Sequence, residues 1–312
     1  MKNINKKILI TGGAGFIGAN LCVALISRGY KVIVIDNLSS GKKENLHKDV
    51  KFFKIDINDK KVNNIFKKEK PNIVFHLAAQ KSISKSIENP IADARINLLG
   101  LLNIFNNCVD NKVEKIIYTS SGGAIYSSPK KIPTKEGDLE SPLSPYGVSK
   151  LAGEKYLESY HANFKIPFVS LRLSNVYGPL QNKDGETGVI ATLLQKILSN
   201  SKFFEIYGDG SQTRDYVFVD DVVNALILSM QNNISGCFNI GTGRETNVNQ
   251  LFKKIKELCD SKIIDKKNSL LNGGQKRSCL DCSKAKKILH WKPKFVLEEG
   301  LIKTINWFLK QK

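Results

Sequence analysis

Residues Ile8–Gly18 read ILITGGAGFIG, an apolar run that breaks into a glycine-rich stretch. The pattern predicts a buried strand, a tight turn and the start of a helix. Gly12, Gly15 and Gly18 allow a sharp turn, the approach of a pyrophosphate to main-chain N–H groups, and close packing of the helix on the strand. An anion bound here would lie at the helix N-terminus, where the backbone dipoles favour negative charge.

The sequence after the glycines indicates which nucleotide binds. A helix is predicted over residues 14–28, and a second apolar run, Val32–Ile35, ends in Asp36, which lies 24 residues after Gly12. An acidic side chain at the end of the second strand accepts hydrogen bonds from a ribose 2′-hydroxyl and repels a 2′-phosphate. A glycine pattern alone is also consistent with a plain strand-to-helix turn. Together these features predict a site for NAD rather than NADP.

Further apolar runs at 50–57, 72–77 and 115–118 alternate with helical patterns. This alternation predicts an α/β Rossmann fold, with a doubly wound parallel sheet that binds ligands at the carboxyl ends of its strands. We place the NAD-binding domain at 1–173. A smaller C-terminal domain, mostly substrate-binding, covers 174–312 and returns some elements to the sheet.

Tyr146 and Lys150 are candidate catalytic residues. They are four residues apart in a predicted helix, so both project from one helix face. Such a pair is often a plain surface contact, but this one follows the fifth predicted strand and its serine-rich end. A neighbouring ammonium and a cationic nicotinamide both favour a phenolate, so we predict that Tyr146 exchanges a proton with a substrate hydroxyl while NAD accepts hydride. His76 is interpreted as a packing residue.

The composition argues against several other classes of protein. The net charge is +19, but lysine supplies 42 of the 48 basic residues, whereas nucleic-acid sites usually favour arginine, so no nucleic-acid partner is expected. No apolar stretch approaches the roughly 18 residues of a membrane span. The first predicted strand follows Met1 too closely for a signal peptide, which predicts a cytoplasmic protein. The six cysteines are scattered and the single CxxC, at 279–282, has no second pair, so no metal site is expected.

Five motifs, in this order, resemble those of the extended short-chain dehydrogenase/reductases, and most closely the UDP-glucose 4-epimerases among them. They are Thr11–Gly18, Asp36-Asn37-Leu38, His76-Leu77-Ala78-Ala79, Tyr146-Gly147-Val148-Ser149-Lys150 and Arg214-Asp215-Tyr216. The resemblance covers nearly the whole chain and implies a Rossmann fold, NAD as cofactor and a UDP-sugar substrate. The cofactor-binding residues that it implies are Gly12, Gly15, Phe16, Ile17, Gly18, Asp36, Asn37, Asp56, Ile57, Leu77, Ala78, Ala79, Lys81, Asn97, Tyr146 and Lys150.

The resemblance also implies roles for the residues on the substrate side. Tyr146 would be the catalytic base, and Lys150 would lower its pKa and bind the nicotinamide ribose. Asn175 and Arg214 would bind the diphosphate, and Tyr207 the uracil. Tyr126 is either a substrate contact or a core residue.

Two positions depart from the family pattern. The catalytic Ser or Thr of many relatives falls on Gly122, so a neighbouring residue must supply the hydroxyl; we choose Ser121, with Ser120 as the alternative. An arginine of the family falls on Leu271. Lys276 or Arg277 would then replace it on the diphosphate.

The reaction we predict is 4-epimerisation of a UDP-hexose. It needs only the removal of hydride from C4 and its return to the opposite face, with NAD bound throughout. Related 4,6-dehydratases and UDP-glucuronate decarboxylases carry acidic residues just before position 126, where this chain has Gly123 and Ala124. The missing acidic residues make the dehydratase and decarboxylase reactions less favoured alternatives, and UDP-glucuronate 4-epimerisation also stays an alternative. So does a non-catalytic NAD-binding regulator, although the intact Tyr–Lys pair argues against it.

Two further expectations concern the range of substrates and the assembly. Ser278 falls where a bulky residue in relatives is associated with rejecting 2-acetamido sugars, so UDP-GlcNAc and UDP-GalNAc are expected as substrates unless Ser278 points elsewhere. The helices predicted within 82–108 and over 146–163 carry surplus apolar surface. That surplus predicts a homodimer.

Overall fold

The computed structural model describes residues 6–127, 129–181, 188–231, 233–269 and 275–311. The described strands are β1 (Lys7–Thr11), β2 (Lys31–Asp36), β3 (Lys51–Lys54), β4 (Ile73–His76), β5 (Lys115–Ser121), β6 (Phe168–Leu173), β7 (Asn175–Tyr177), β8 (Phe203–Tyr207), β9 (Thr213–Arg214), β10 (Tyr216–Phe218), β11 (Gly236–Ile240), β12 (Thr246–Asn247) and β13 (Ile264–Asn268). The described α-helices are α1 (Phe16–Ile26), α2 (Val62–Glu69), α3 (Ile83–Glu88), α4 (Pro90–Ala94), α5 (Leu101–Asp110), α6 (Gly122–Ile125), α7 (Pro145–Phe164), α8 (Val189–Leu198), α9 (Val219–Leu228), α10 (Val248–Leu258) and α11 (Leu297–Leu309).

Seven of these strands form one parallel sheet in the order β3-β2-β1-β4-β5-β6-β11. The chain order reverses at β1, since β2 pairs on one side of it and β4 on the other. This is the doubly wound Rossmann arrangement that the sequence predicts, and the reversal opens a crevice at the carboxyl ends of β1 and β4. The strand β11 returns to the sheet from beyond residue 174.

Both faces of the sheet are covered by helices, which explains the nearly continuous apolar runs of its strands. Alternate residues of β1 face opposite sides: Ile8 and Ile10 pack with α1 and α9, whereas Leu9 packs with α2 and α5. All three side chains are fully buried. The sheet therefore separates two apolar cores.

The helical region predicted at 82–108 is divided rather than continuous. Asn89 ends α3 and caps α4 by accepting a hydrogen bond from the Ala92 N–H, and Pro90 occupies the first turn of α4. A π-helical turn, Arg95–Gly100, then joins α4 to α5. The π turn places Asn97 on the buried side, next to the end of β4. In the described part of the chain, no helix has both the length and the apolarity needed to cross a membrane.

The segments that follow the sheet strands are joined by buried hydrogen bonds. Thr134 forms an isolated parallel bridge with Leu280. The carboxylate of Asp215 accepts hydrogen bonds from the backbone N–H groups of Thr242, Gly243 and Leu280 at 2.8, 3.1 and 3.3 Å. Burial raises the pKa of Asp215, while these bonds lower it. They hold distant parts of the chain together beside the carboxyl end of the sheet.

Candidate active site

The turn between β1 and α1 has the shape that a pyrophosphate requires. Gly12 has a φ of +72°, and a Cβ there would lie 2.7 Å from the Ala78 nitrogen, so only glycine fits. Helix α1 begins after Gly15 without a side-chain cap and with no acidic residue in its first turn. Its first N–H groups therefore face the crevice without a competing carboxylate, which suits an anionic group.

Asp36 ends β2 beside this turn, as the sequence predicts. Its carboxylate accepts hydrogen bonds from the Ala14 and Leu38 N–H groups at 3.0 and 2.8 Å. These bonds hold both oxygens at the crevice, where their remaining lone pairs suit the hydroxyls of an adenosine ribose. The residues present therefore fit a dinucleotide whose ribose lacks a 2′-phosphate.

Asn37 and Asp56 lie together on the far side of Asp36. The Asn37 amide donates to Asp56 Oδ2 at 2.7 Å, and the Asn58 N–H donates to Asp56 Oδ1 at 2.8 Å. Burial raises the pKa of Asp56, but these hydrogen bonds outweigh it and the pKa is lowered overall. Ile57 is buried beside them. Asn37 and Asp56 thus provide a fixed polar edge and Ile57 an apolar surface, which together suit a planar base.

The end of β4 passes close to Gly12 and continues through Leu77, Ala78 and Ala79. His76 is fully buried, bonded at 2.8 Å to the Thr11 hydroxyl and stacked on Tyr118. Burial lowers its pKa to about 3, so the imidazole is neutral. The interpretation of His76 as a packing residue is confirmed.

Asn97 binds the backbone of the segment that follows β4. It accepts from the Gln80 N–H at 2.9 Å and donates to the Gln80 carbonyl and to Asp93 Oδ1, both at 2.9 Å. Both of its N–H donors are thus used inside the protein. Asn97 fixes the backbone after the small residues 77–79 rather than offering free donors to a cofactor.

The pair Tyr146 and Lys150 lies in the first turns of α7. The Ser144 hydroxyl caps this helix by accepting from the Gly147 N–H at 3.1 Å, and Pro145 follows at a position that favours helix initiation. Lys150 is buried, with Nζ 2.9 Å from the Thr119 carbonyl oxygen, and it lies 4.7 Å from the Tyr118 ring centroid and 5.9 Å from that of Tyr146. The structure therefore brings the predicted pair together at the carboxyl end of β5.

Ser121 supplies the hydroxyl next to Tyr146. The Ser121 side chain lies close enough to the Tyr146 hydroxyl to lower its pKa, whereas the buried Ser120 hydroxyl has no partner in the described structure. A Cβ at Gly122 would lie 2.7 Å from a Leu280 methyl carbon. Leu280 thus fills the space that a side chain at position 122 would occupy.

The protonation of Tyr146 differs from the simple expectation that Lys150 lowers its pKa. Burial raises the pKa of Tyr146 to about 12, the hydrogen bond with Ser121 lowers it and the charge of Asp93 raises it. Burial also lowers the pKa of Lys150 to about 8, against the carboxylates of Asp93 and Glu154, which raise it. In the protein alone, the tyrosine is therefore a phenol at neutral pH and the lysine is mostly an ammonium.

Arg214 is a partly buried cation at the end of β9. Its guanidinium donates to the Thr213 carbonyl at 2.7 Å, and no carboxylate within the described ranges lies within ion-pair distance of it. Burial lowers its pKa. A partly buried guanidinium without a carboxylate partner is stabilised by an external anion.

The two replacements considered for Leu271, which itself lies outside the described residues, differ in their surroundings. The exposed Arg277 pairs through two hydrogen bonds with Glu245. Lys276 contributes its backbone carbonyl to the Thr213 N–H at 3.0 Å. The pairing with Glu245 argues against Arg277 as a free phosphate ligand and leaves Lys276 as the candidate.

Ser278 is buried close to the turn that follows β5. Its hydroxyl oxygen would lie 3.7 Å from a Cβ on Gly123. Gln275 lies near the same point, with Oε1 3.9 Å away, and its amide donates to the Tyr126 carbonyl at 3.0 Å. The serine therefore faces Gly123, two residues after Ser121.

The remaining predicted substrate residues lie on two short strands. Asn175 begins β7, where its N–H bonds the Asp215 carbonyl at 2.9 Å and its side chain is exposed. Tyr207 ends β8 and is 45% exposed. Both side chains are accessible to a ligand.

A buried ion-pair network, absent from the predicted site, anchors α7. Arg172 on β6 bonds both carboxylate oxygens of Glu154, at 2.5–3.1 Å, and also reaches Glu140 and the Tyr126 hydroxyl. Tyr126 is thereby identified as a core residue. One signal was available in the sequence: Glu154 lies four residues after Lys150, on the helix face that must be buried.

Comparison with known proteins identifies the family. The model of the NAD-dependent epimerase/dehydratase family matches residues 8–241, a range that contains the dinucleotide turn, Asp36, Ser121 and the Tyr146–Lys150 pair. The chain belongs to this family. Its cofactor is NAD, in agreement with the prediction from Asp36.

Relatives within the NAD-dependent epimerase/dehydratase family cover nearly the whole chain. A UDP-glucose 4-epimerase of Mycolicibacterium smegmatis is 38% identical over 97% of this chain and 98% of its own length. The crystal structure of the Thermotoga maritima UDP-glucose 4-epimerase with UDP-glucose is 44% identical, with a TM-score of 0.96 over 98% of this chain and 99% of that one. A UDP-N-acetylglucosamine 4-epimerase of Methanobrevibacter ruminantium, solved with UDP-N-acetylmuramic acid, is 36% identical, with a TM-score of 0.93 over 99% of both chains.

Proposed function

We propose that this protein is a NAD-dependent 4-epimerase of UDP-hexoses. The observation that carries the proposal is the placement of Tyr146, Ser121 and Lys150 together at the carboxyl end of the sheet, beside the dinucleotide turn. The activities named for the similar proteins support the same reaction.

In the proposed mechanism, Tyr146 takes the proton from the C4 hydroxyl and returns it after the sugar ketone has turned. When bound, NAD supplies the hydride acceptor for C4 and, in its oxidised form, a positive charge beside the phenol. Ser121 connects the substrate oxygen to Tyr146 through its hydroxyl, and Lys150 stabilises the phenolate and holds the nicotinamide ribose. The positive charges are needed because the pKa of Tyr146 in the protein alone is raised to about 12, chiefly by burial.

The UDP moiety would lie against the C-terminal domain that we place at 174–312. Arg214 and Asn175 would bind the diphosphate and Tyr207 would stack on the uracil. Arg214 contributes most because its charge is partly buried and no protein carboxylate in the described ranges competes for it.

We further propose that the site admits 2-acetamido sugars. Ser278 is small, and its hydroxyl faces the position where Gly123 lacks a side chain. An acetamido group needs space of this kind next to the sugar ring. The activity named for the Methanobrevibacter ruminantium enzyme is consistent with this range.

A panel of nucleotide sugars tests the proposal. The purified protein should interconvert UDP-Glc with UDP-Gal and UDP-GlcNAc with UDP-GalNAc, without added reductant, as followed by NMR of the sugar protons. UDP-GlcA included in the panel tests the uronate alternative. Bound NAD without turnover of any of the five sugars would favour the non-catalytic regulator.

A further inference from the structure

Asp93, in α4, is a carboxylate whose charge the proposed mechanism does not use. It is 1% exposed. Its Oδ2 accepts from the Ser149 hydroxyl at 2.7 Å, and its Oδ1 accepts from the amides of Asn97 and Gln80 at 2.9 and 3.0 Å. All three donors are neutral, and the described residues place no cationic group in an ion pair with it. A buried carboxylate in such surroundings exerts its field on whatever charge is near.

The cation near Asp93 is Lys150, which follows Ser149 in α7. Lys150 Nζ donates to the Thr119 carbonyl and lies over two phenol rings. In the described structure it makes no direct ion pair. The carboxylates that favour its charge, Asp93 and Glu154, therefore act through space.

Several other titratable groups also face Lys150. They are Tyr146 and Glu154 on α7, Tyr118 on β5 and His76 on β4. Glu154 is negative, but Arg172 pairs with it through three hydrogen bonds and offsets its charge. His76 is neutral, and burial raises the pKa of both tyrosines. Of the two carboxylates that act on Lys150, Glu154 and Asp93, only Asp93 has no ion pair with a cation among the described residues.

We propose that Asp93 is a positioning residue of the active site, whose charge keeps Lys150 an ammonium and holds Tyr146 in its phenol form until the cofactor's positive charge arrives. The proposal rests on the roles given to Tyr146 and Lys150 above. A negative charge raises the pKa of every acid near it, whether ammonium or phenol. One carboxylate therefore moves the two catalytic groups in the same direction, and the hydrogen bond from Ser149 keeps it close to both.

The test is Asp93→Asn, which keeps the size and an oxygen acceptor for Ser149 but removes the charge. A neighbouring charge, opposite or like, shifts the pKa of a group by about one unit or more. We expect both limbs of the pH profile of kcat/KM to move to lower pH by about one unit. The phenolate absorbance of Tyr146 in the holoenzyme, taken as the difference from Tyr146→Phe, should move by the same amount.

Two further variants separate charge from shape. Asp93→Glu keeps the charge and should leave the tyrosine titration within about 0.3 of a unit of the wild type, on the scale of these shifts. The double variant Asp93→Asn/Ser149→Asp returns a carboxylate to the same pocket. It should restore the wild-type titration of Tyr146, and it tests the proposal even if Asp93→Asn alone does not fold.

The absorbance titration does not depend on turnover, so it separates this proposal from the proposed function. Lower activity in Asp93→Asn with both limbs and the tyrosine titration unmoved would overturn the role of Asp93 and leave the epimerase assignment intact. A displaced titration in a protein that converts no UDP-sugar would support the role of Asp93 and contradict the assignment. A double variant that titrates like Asp93→Asn would also overturn the proposal.

Discussion

Ser120 and Ser121 are adjacent in the chain but differ in what they contact. Ser121 lies close enough to Tyr146 to lower its pKa, whereas Ser120 has a buried hydroxyl without a partner in the described structure. The sequence indicated that a neighbour must replace Gly122, but it could not choose between the serines. The choice depends on which serine faces Tyr146, and that is set by the tertiary structure.

We predict that Ser121→Ala lowers kcat by about 10²- to 10⁴-fold, because a positioned acid–base partner contributes that much. Ser120→Ala is the matched control and should retain activity near that of the wild type. Steady-state rates with UDP-Gal measure both. A larger loss in Ser120→Ala would assign the catalytic hydroxyl to the other serine.

We propose that the side chain at position 278 limits the size of the sugar substituent that the site admits. Ser278→Tyr should suppress conversion of UDP-GlcNAc at least tenfold relative to UDP-Gal, because the ring would fill the space beside Gly123, and steric exclusion of this kind is worth about 1–3 kcal/mol. Parallel kcat/KM measurements with the two substrates check this. Ser278→Ala, which keeps the space open, serves as the control. Equal loss of both activities in the tyrosine variant would refute the interpretation.

At the scale of elements, α7 is held in place by Arg172 and Glu154. The sequence predicted the helix and the face that carries Tyr146 and Lys150, because spacing along a helix is local information. It did not reveal the partner of Glu154, since Arg172 lies on another strand and the pairing depends on tertiary structure. The break at Asn89–Pro90 was likewise missed within an otherwise continuous apolar pattern.

We predict that Arg172→Met destabilises the fold by about 3–5 kcal/mol, because it leaves the fully buried Glu154 carboxylate without its cation. Urea unfolding measures the change. The exposed Lys253–Glu257 pair offers a control, and Lys253→Met should cost less than about 0.5 kcal/mol. Arg172→Met/Glu154→Leu should recover much of the loss. A single variant as stable as the wild type would show that the pair does not anchor α7.

At the scale of the whole molecule, the sheet order and the crevice follow from the alternation of strands and helices and from the glycine-rich turn. Both are local patterns, and the preference for short, right-handed connections between parallel strands then determines the topology. Assembly is different, because it depends on how exposed faces match. Apolar side chains on α3, α4, the π turn and α7 are exposed in the single chain. Those with the highest exposed fractions are Ile87, Ile91, Leu99, Val148 and Phe164.

We predict a homodimer through this surface, with a mass of about twice 34.8 kDa by sedimentation at micromolar concentration. Ile91→Glu with Leu99→Glu should produce monomers, because each glutamate would have to be buried without a partner. Leu309→Glu, on the exposed side of α11, is the control and should remain dimeric. A wild-type protein that sediments as a monomer would contradict the prediction.

The central claim is that Tyr146 performs proton transfer in a UDP-hexose 4-epimerase, and the most direct measurement compares wild type with Tyr146→Phe. Each purified protein is incubated with UDP-Gal, UDP-Glc is quantified over time, and bound NAD is released by denaturation and counted. We predict that the wild type converts the substrate, whereas the variant keeps its fold and NAD but turns over at least 10²-fold more slowly, because only the phenolic oxygen has been removed. Undiminished conversion by Tyr146→Phe, or no conversion by a wild-type protein that carries NAD, would contradict the account.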